Sequence, residues 1–220
     1  MKTKRVKDNS TRAERLRQAS RARREQQKEG LRRTILDAAG GLFLEHGYED
    51  FSLRQVAERI GYSATTIYRY FENKDELLFA ILYDGFLEFG RKLEAAAQST
   101  RDPLKRIEAL GRAYIEFGLR NPVHYQLMFM QRSDFLFESR KGQNQPMIES
   151  FNTLAEAVKE AMEARVIKRG DVDAYSHALW AAVHGLTSLA ITGGPRFTPE
   201  LLKKSTAVTL RLIIEGLRPH

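Results

Sequence analysis

The chain has 220 residues, of which 42% are hydrophobic and 29% charged, with a net charge of +8 and no cysteine. That size and mixture suit a folded globular protein of one large or two small domains with a substantial core, and the lack of cysteine excludes structural disulfides and thiolate metal sites. No run is long and apolar enough to span a bilayer, and the charged start MKTKRVKDNSTRAERLRQ lacks the apolar stretch of a secretory signal, so no membrane partner is expected and the expected location is the cytoplasm.

Residues 1–30 carry eleven Lys/Arg against four Asp/Glu, nearly all of the net charge. Composition reads this segment as a solvated arm, disordered or partly helical. Its charge suits neutralising phosphates. The stretch Thr11 to Gly30 has no Pro and no internal Gly, so a helix there could extend the next one backwards. The first folded helix is expected from about Leu31, with Ile35, Ala39, Leu42 and Phe43 on one face and Gly47 at its end. Gly40 and Gly41 inside it suggest the close approach of another helix.

A second helix follows. Ser52 caps it and Gln55 stands three residues on, the spacing of a capping box. Leu53, Val56, Ala57 and Ile60 form its apolar face, and Gly61 stops it. Ser63 caps a third helix. Helix, glycine turn and short helix give a helix-turn-helix. Wound at 100° per residue, the third helix turns Ala64, Ile67 and Phe71 inward. Thr65, Thr66 and Arg69 point outward, with Tyr62 and Ser63 leading in on that side and Tyr68 and Tyr70 at the edges. Hydroxyls and a guanidinium suit base edges in a major groove; phenols along the margins suit phosphate oxygens. The competing reading has Tyr68 and Tyr70 merely packing a small domain. Asn73 caps the next helix with Glu76 as the box partner, and Lys74 stands at that helix N-terminus, where it can face a phosphate.

The stretch FSLRQVAERIGYSATTIYRYFENKDELLFAIL resembles the DNA-binding domain of TetR-family (tetracycline-repressor-like) regulators. The resemblance is strong over about residues 31–82. It implies an all-α homodimer, with an N-terminal three-helix helix-turn-helix domain joined to a C-terminal helical ligand-sensing and dimerisation domain. It implies DNA contacts at Thr65, Thr66, Tyr68, Tyr70 and Lys74, with Ser52 and Arg54 near the backbone. Arg69 falls where the family varies, so its role rests on helix geometry. The Gly40-Gly41 pair departs from the family's larger residues. The expected division is an arm over 1–30, the DNA-binding domain over 31–76 and the body over 77–220.

Beyond Leu82 the chain stays helical. Leu78, Ile81, Leu82, Phe86 and Phe89 continue one helix out of the head. A helix starts near Asp102-Pro103 with Ile107, Leu110, Tyr114 and Phe117 inward. Asn121-Pro122 breaks it, and a short helix that is apolar nearly all round follows, as a buried helix would be. Residues 135–145 read as a loop. A helix from about Met147 to Ala164 shows Phe151, Leu154, Val158 and Met162. Arg169–Asp171 reads as a turn and a cap. The last two helices, AYSHALWAAVHGLTSLAI and the one capped by Thr198 with Pro199 at its first position, carry more apolar surface than one core face needs, which suits a two-fold interface. WAAVHG, from Trp180 to Gly185, is similar to the Trp-His-Gly signature of one C-terminal subclass of the family.

Tyr114, Phe117, Tyr125, Met128, Phe129, Phe151, Trp180 and His184 are aromatic or soft residues on helices that should face one another. Each alone reads as core; together they allow a pocket for a hydrophobic or aromatic small molecule. His177 and His184 lie two turns apart with no third ligand at suitable spacing, so neither metal nor cofactor is expected. No nucleophile elbow, Walker loop or HExxH motif is present, so no enzyme is expected. A repressor released from a palindromic double-stranded operator by an effector is the leading reading. A ligand-independent DNA-binding or DNA-packaging protein is the alternative, supported by the arm's charge but not by the recognition helix.

Overall fold

The computed structural model describes residues 12–130 and 145–219. Among these it contains nine α-helices, one 3-10 turn at Gly194–Arg196 and no strand. The helices are α1 Arg12–His46, α2 Leu53–Arg59, α3 Ala64–Tyr68, α4 Lys74–Gln98, α5 Pro103–Arg120, α6 Pro122–Phe129, α7 Gln145–Glu163, α8 Val172–Thr192 and α9 Pro199–Leu217. The expected all-α class holds. The first eleven residues of the arm and most of the expected loop lie outside the described residues.

Three helices make the head. Ile35, Ala39 and Leu42 of α1, Leu53 and Val56 of α2, and Ile67 of α3 are buried together with Phe51 and Phe71. α2 ends in a Schellman turn: the Tyr62 N–H donates to Ala57 O at 2.9 Å and the Gly61 N–H to Glu58 O at 3.2 Å. That turn needs a residue with positive φ, and Gly61 supplies it at 72°, a conformation costly for any residue with a Cβ. It sets the angle at which α3 leaves α2. Glu45 and Arg59 join α1 to α2 in a two-pronged ion pair of 2.6 and 3.1 Å, which holds the Glu45 carboxyl below its usual value.

α4 belongs to both halves. Leu77 and Leu78 near its start and Phe86, Phe89 and Leu93 further along are all buried. It packs on α5 and α7 in the body and on α1 in the head. The short α6 crosses between them. A Cβ on Gly40 of α1 would come within 2.7 Å of Val123 on α6, whereas one on Gly41 would meet nothing within 4 Å. The close approach suspected from the pair therefore rests on Gly40 alone. On its other side α6 presses on α4: a Cβ on Gly85 would sit 2.9 Å from Met128 Sδ and 3.1 Å from His124 Cδ2.

The arm's described part takes the helical alternative. Residues 12–30 continue α1 without a break and are solvent-exposed wherever their side chains are described.

Candidate nucleic-acid interface and effector cavity

On the head, the exposed surface of α3 and its flanks presents Tyr62, Thr65, Tyr68 and Arg69, with Tyr62 and Tyr68 about half exposed. Thr66 is half-buried. Its N–H donates to Ser63 Oγ at 3.2 Å, and the two hydroxyls lie 2.9 Å apart. Both hydroxyls therefore serve the cap of α3 as well as the surface. Tyr70 turns partly inward and packs against the core. Arg54 is exposed on α2, and Ser52 caps that helix, accepting the Gln55 N–H at 3.3 Å. The Gln55 side chain meets the Ser52 hydroxyl at 2.9 Å rather than the Ser52 N–H, so only half of the expected capping box forms. At α4, Asn73 caps Glu76 N–H at 2.8 Å, while the Glu76 carboxylate reaches back to Glu72 N–H, one residue earlier than the box requires.

Lys74 is held in place. Its ammonium donates to Tyr48 O at 2.8 Å and lies 3.9 Å from the centre of the Tyr48 ring. The Tyr48 hydroxyl donates to Asp75 Oδ1 at 2.6 Å, and that bond, with burial, pushes its pKa up to about 12. Sequence reading overlooked Tyr48 because its partners lie more than twenty positions away.

The body holds a partly open cavity of about 330 Å³ between α4, α5, α7, α8 and α9, with Phe129 of α6 in its wall. Of the eight residues proposed from sequence, Tyr114, Phe129, Phe151 and Trp180 line it. Phe117, Tyr125, Met128 and His184 lie outside the lining; the first three are buried in the core. Phe86, Phe89 and Leu93 from α4 and Leu210, Ile213 and Ile214 from α9 complete the wall. Their apolar spacing was visible in the sequence, but spacing does not separate a cavity wall from solid core. His177 also lines it, its ring 4.7 Å from Phe151 and its Nδ1 2.8 Å from Asp173 O. Among the described residues no cluster of three potential metal ligands occurs.

Behind the Tyr114–Trp180 wall runs a chain of polar contacts. Trp180 Nε1–H donates to the Tyr114 oxygen at 3.0 Å. The Tyr114 and Tyr125 hydroxyls lie 3.2 Å apart, and Tyr125 reaches His184 Nδ1 at 2.7 Å. The Tyr114 hydroxyl also lies 3.0 Å from the same Nδ1, so both phenols converge on one imidazole nitrogen, which can accept from a phenol when the ring proton is on Nε2. Burial, with the neighbouring phenol, raises the Tyr114 pKa far above its ordinary value, and burial lowers that of His184. His184 thus lies one layer behind the cavity lining.

An exposed recognition turn on a three-helix head, tied by one helix to a body with an apolar cavity, is the geometry that the resemblance implies. Residues 35–81 match the family model described as bacterial regulatory proteins, tetR family, and residues 107–213 match that of the tetracyclin repressor-like C-terminal domain. The chain belongs to the tetR family. This TetR-family protein is a transcriptional regulator with a helix-turn-helix DNA-binding domain. The C-terminal match gives no support to the Trp-His-Gly subclass.

Solved structures share the fold. The TetR-family regulator PfmR from Thermus thermophilus is 22% identical with a TM-score of 0.70, covering 84% of this chain and 99% of its own. The regulator FadR from Bacillus subtilis, in complex with stearoyl-CoA, is 20% identical with a TM-score of 0.69, covering 84% and 98%. The ketosteroid regulator KstR2 of Mycobacterium tuberculosis is 16% identical with a TM-score of 0.73, covering 86% and 95%. Among the described residues of this TetR-family protein, no helix is long and apolar enough to cross a membrane.

Proposed function

We propose that this TetR-family regulator is a repressor that grips a palindromic operator as a homodimer and is released by a small lipophilic effector. One observation carries the reading: α4 starts beside the recognition turn and runs on to supply Phe86, Phe89 and Leu93 to the cavity wall. An effector in the cavity therefore touches the same rigid helix that positions the head.

In this reading Tyr62, Thr65, Thr66 and Arg69 face base edges. Tyr68 and Tyr70 donate to phosphates, with Ser52, Arg54 and Ser63 beside the backbone. Lys74 uses one donor on Tyr48 and keeps two for a phosphate. Two recognition helices about 34–36 Å apart would meet successive major grooves. The dimer seam is assigned to Leu189 of α8 and to Leu201, Val208 and Leu212 of α9, all large apolar side chains left exposed.

α6 is the second route from cavity to head. Phe129 at its end lines the cavity, while Val123 rests on Gly40 and Met128 on Gly85. An effector that fits one setting of α6 better than the other shifts the population between DNA-binding and released states. The function is binding rather than catalysis. A long acyl or polycyclic apolar effector suits the wall; among solved structures of this fold, FadR from Bacillus subtilis is in complex with stearoyl-CoA and KstR2 is a ketosteroid regulator.

The test titrates lipophiles against the protein while following its single tryptophan, Trp180, and against the protein–operator complex by fluorescence anisotropy. A compound that changes Trp180 emission should weaken operator binding over the same concentration range. Compounds that saturate Trp180 and leave operator affinity untouched would contradict release by effector.

A further inference from the structure

Tertiary packing does not explain the N-terminal part of α1. Residues 12–30 extend from the head as a helix about 28 Å long at 1.5 Å per residue, and every side chain described there is exposed. Leu16 is its one large apolar side chain and is itself exposed, so this stretch gains nothing from burial against a core. Its charges are nevertheless ordered. Arg17, Arg21, Arg24 and Lys28 follow one another at steps of four, three and four, which places them on one face.

The same stepping continues through Arg32 to Ile35, Ala39 and Leu42. Those last three are the residues by which α1 packs into the head, at 0, 0 and 3% exposure. One stripe therefore runs the length of the helix, apolar where it meets protein and cationic where it overhangs. Arg32 marks the change: its guanidinium bonds Asp84 at 3.1 Å and lies 5.9 Å from the ring of Phe71, three residues beyond Tyr68. The cationic face thus continues on the side of α1 that adjoins the end of the recognition segment.

We propose that this overhanging stripe is a second DNA contact, in which Arg17, Arg21, Arg24 and Lys28 bind the phosphates of duplex flanking each half-site. The partner is the backbone of double-stranded DNA, matched by charge and by continuity with the head. The stripe adds affinity and reach without adding base preference. This extends the operator reading and depends on it.

The test uses the full chain and a duplex that the wild-type protein enriches from a random pool. The variant R17Q/R21Q/R24Q/K28Q keeps helix propensity while removing the stripe, and R12Q/R23Q removes charge from the opposite side. The stripe variant should flatten the plot of log affinity against log salt by about 0.9 for each phosphate it no longer neutralises. It should keep the ranking of single-base substitutions. Trimming the flanks should weaken wild type towards the stripe variant and leave that variant unmoved, while R12Q/R23Q stays close to wild type. An unchanged slope, or equal flattening by both variants, would overturn the proposal. Failure of the wild-type chain to enrich any duplex would instead bring down the operator reading itself.

Discussion

Tyr68 and Tyr70 are two apart in sequence and have opposite surroundings. Tyr68 stands half exposed on the recognition turn, whereas Tyr70 packs against the head core. Tyr68→Phe should therefore weaken specific and nonspecific DNA alike by about tenfold for each bound head, since a hydrogen bond to a charged group is worth roughly 1.5 kcal/mol at the low end. Anisotropy on operator and scrambled duplexes measures both; a loss confined to one base position would refute the phosphate role. Two histidines give a second residue-scale expectation. Burial holds both His124 and His184 below the usual imidazole value, against the opposing pull of Asp37, Asp84 and Glu88 on His124. The unfolded chain takes up protons near pH 6.5 that the folded chain refuses until lower pH. Stability is thus present at neutral pH and lost as pH falls through the window below about 6.5. Melting from pH 7.5 to 5.5 should show this loss, and H124Q/H184Q should remove much of it. What the sequence showed at this scale was local. The Ser52, Ser63 and Asn73 caps were legible because each bonds three residues ahead. The Tyr48–Lys74–Asp75 group was not, because its members meet only through the fold.

At the scale of elements, the proposed coupling runs through α6 and the glycines packed beneath it. Gly41 lies in a helix with nothing near its Cβ position, so Gly41→Ala should stabilise the protein by about 1 kcal/mol. Gly40→Ala should forfeit that gain, because its methyl would press on Val123. If α6 transmits the effector signal, Gly40→Ala should also change effector response more than Gly41→Ala does. Denaturant midpoints and operator titrations with effector compare the pair; identical behaviour of the two would remove α6 from the pathway. Two adjacent glycines look alike in a sequence, and only the partner helix separates them. The back-extension of α1 was ambiguous for a related reason: an exposed helix has no apolar face for a pattern to reveal. The body helices were easier. Ile107, Leu110, Tyr114 and Phe117 repeat at helical spacing and are buried as expected, but that spacing is equally compatible with a core and with a cavity.

For the whole molecule, the proposed repressor depends on two heads acting together. Val208 and Leu212 are exposed on α9 at 43 and 61%, so their surface is available to a second copy. V208D/L212D should leave a folded monomer that still grips a half-site, with operator affinity reduced by about 10²-fold or more through lost bivalency. Sedimentation alongside operator titration would show it; a variant that remains dimeric would move the seam elsewhere. Repression of this kind rests on recognition of a defined palindrome by the exposed recognition turn. Its most direct measurement is the affinity of the purified wild-type chain for an inverted repeat found beside its own gene, compared with a scrambled duplex of equal length at one salt concentration. The repeat should be preferred at least about 10³-fold, with one dimer spanning it. Equal affinity for both duplexes would contradict such recognition and leave a protein that coats DNA without reading it.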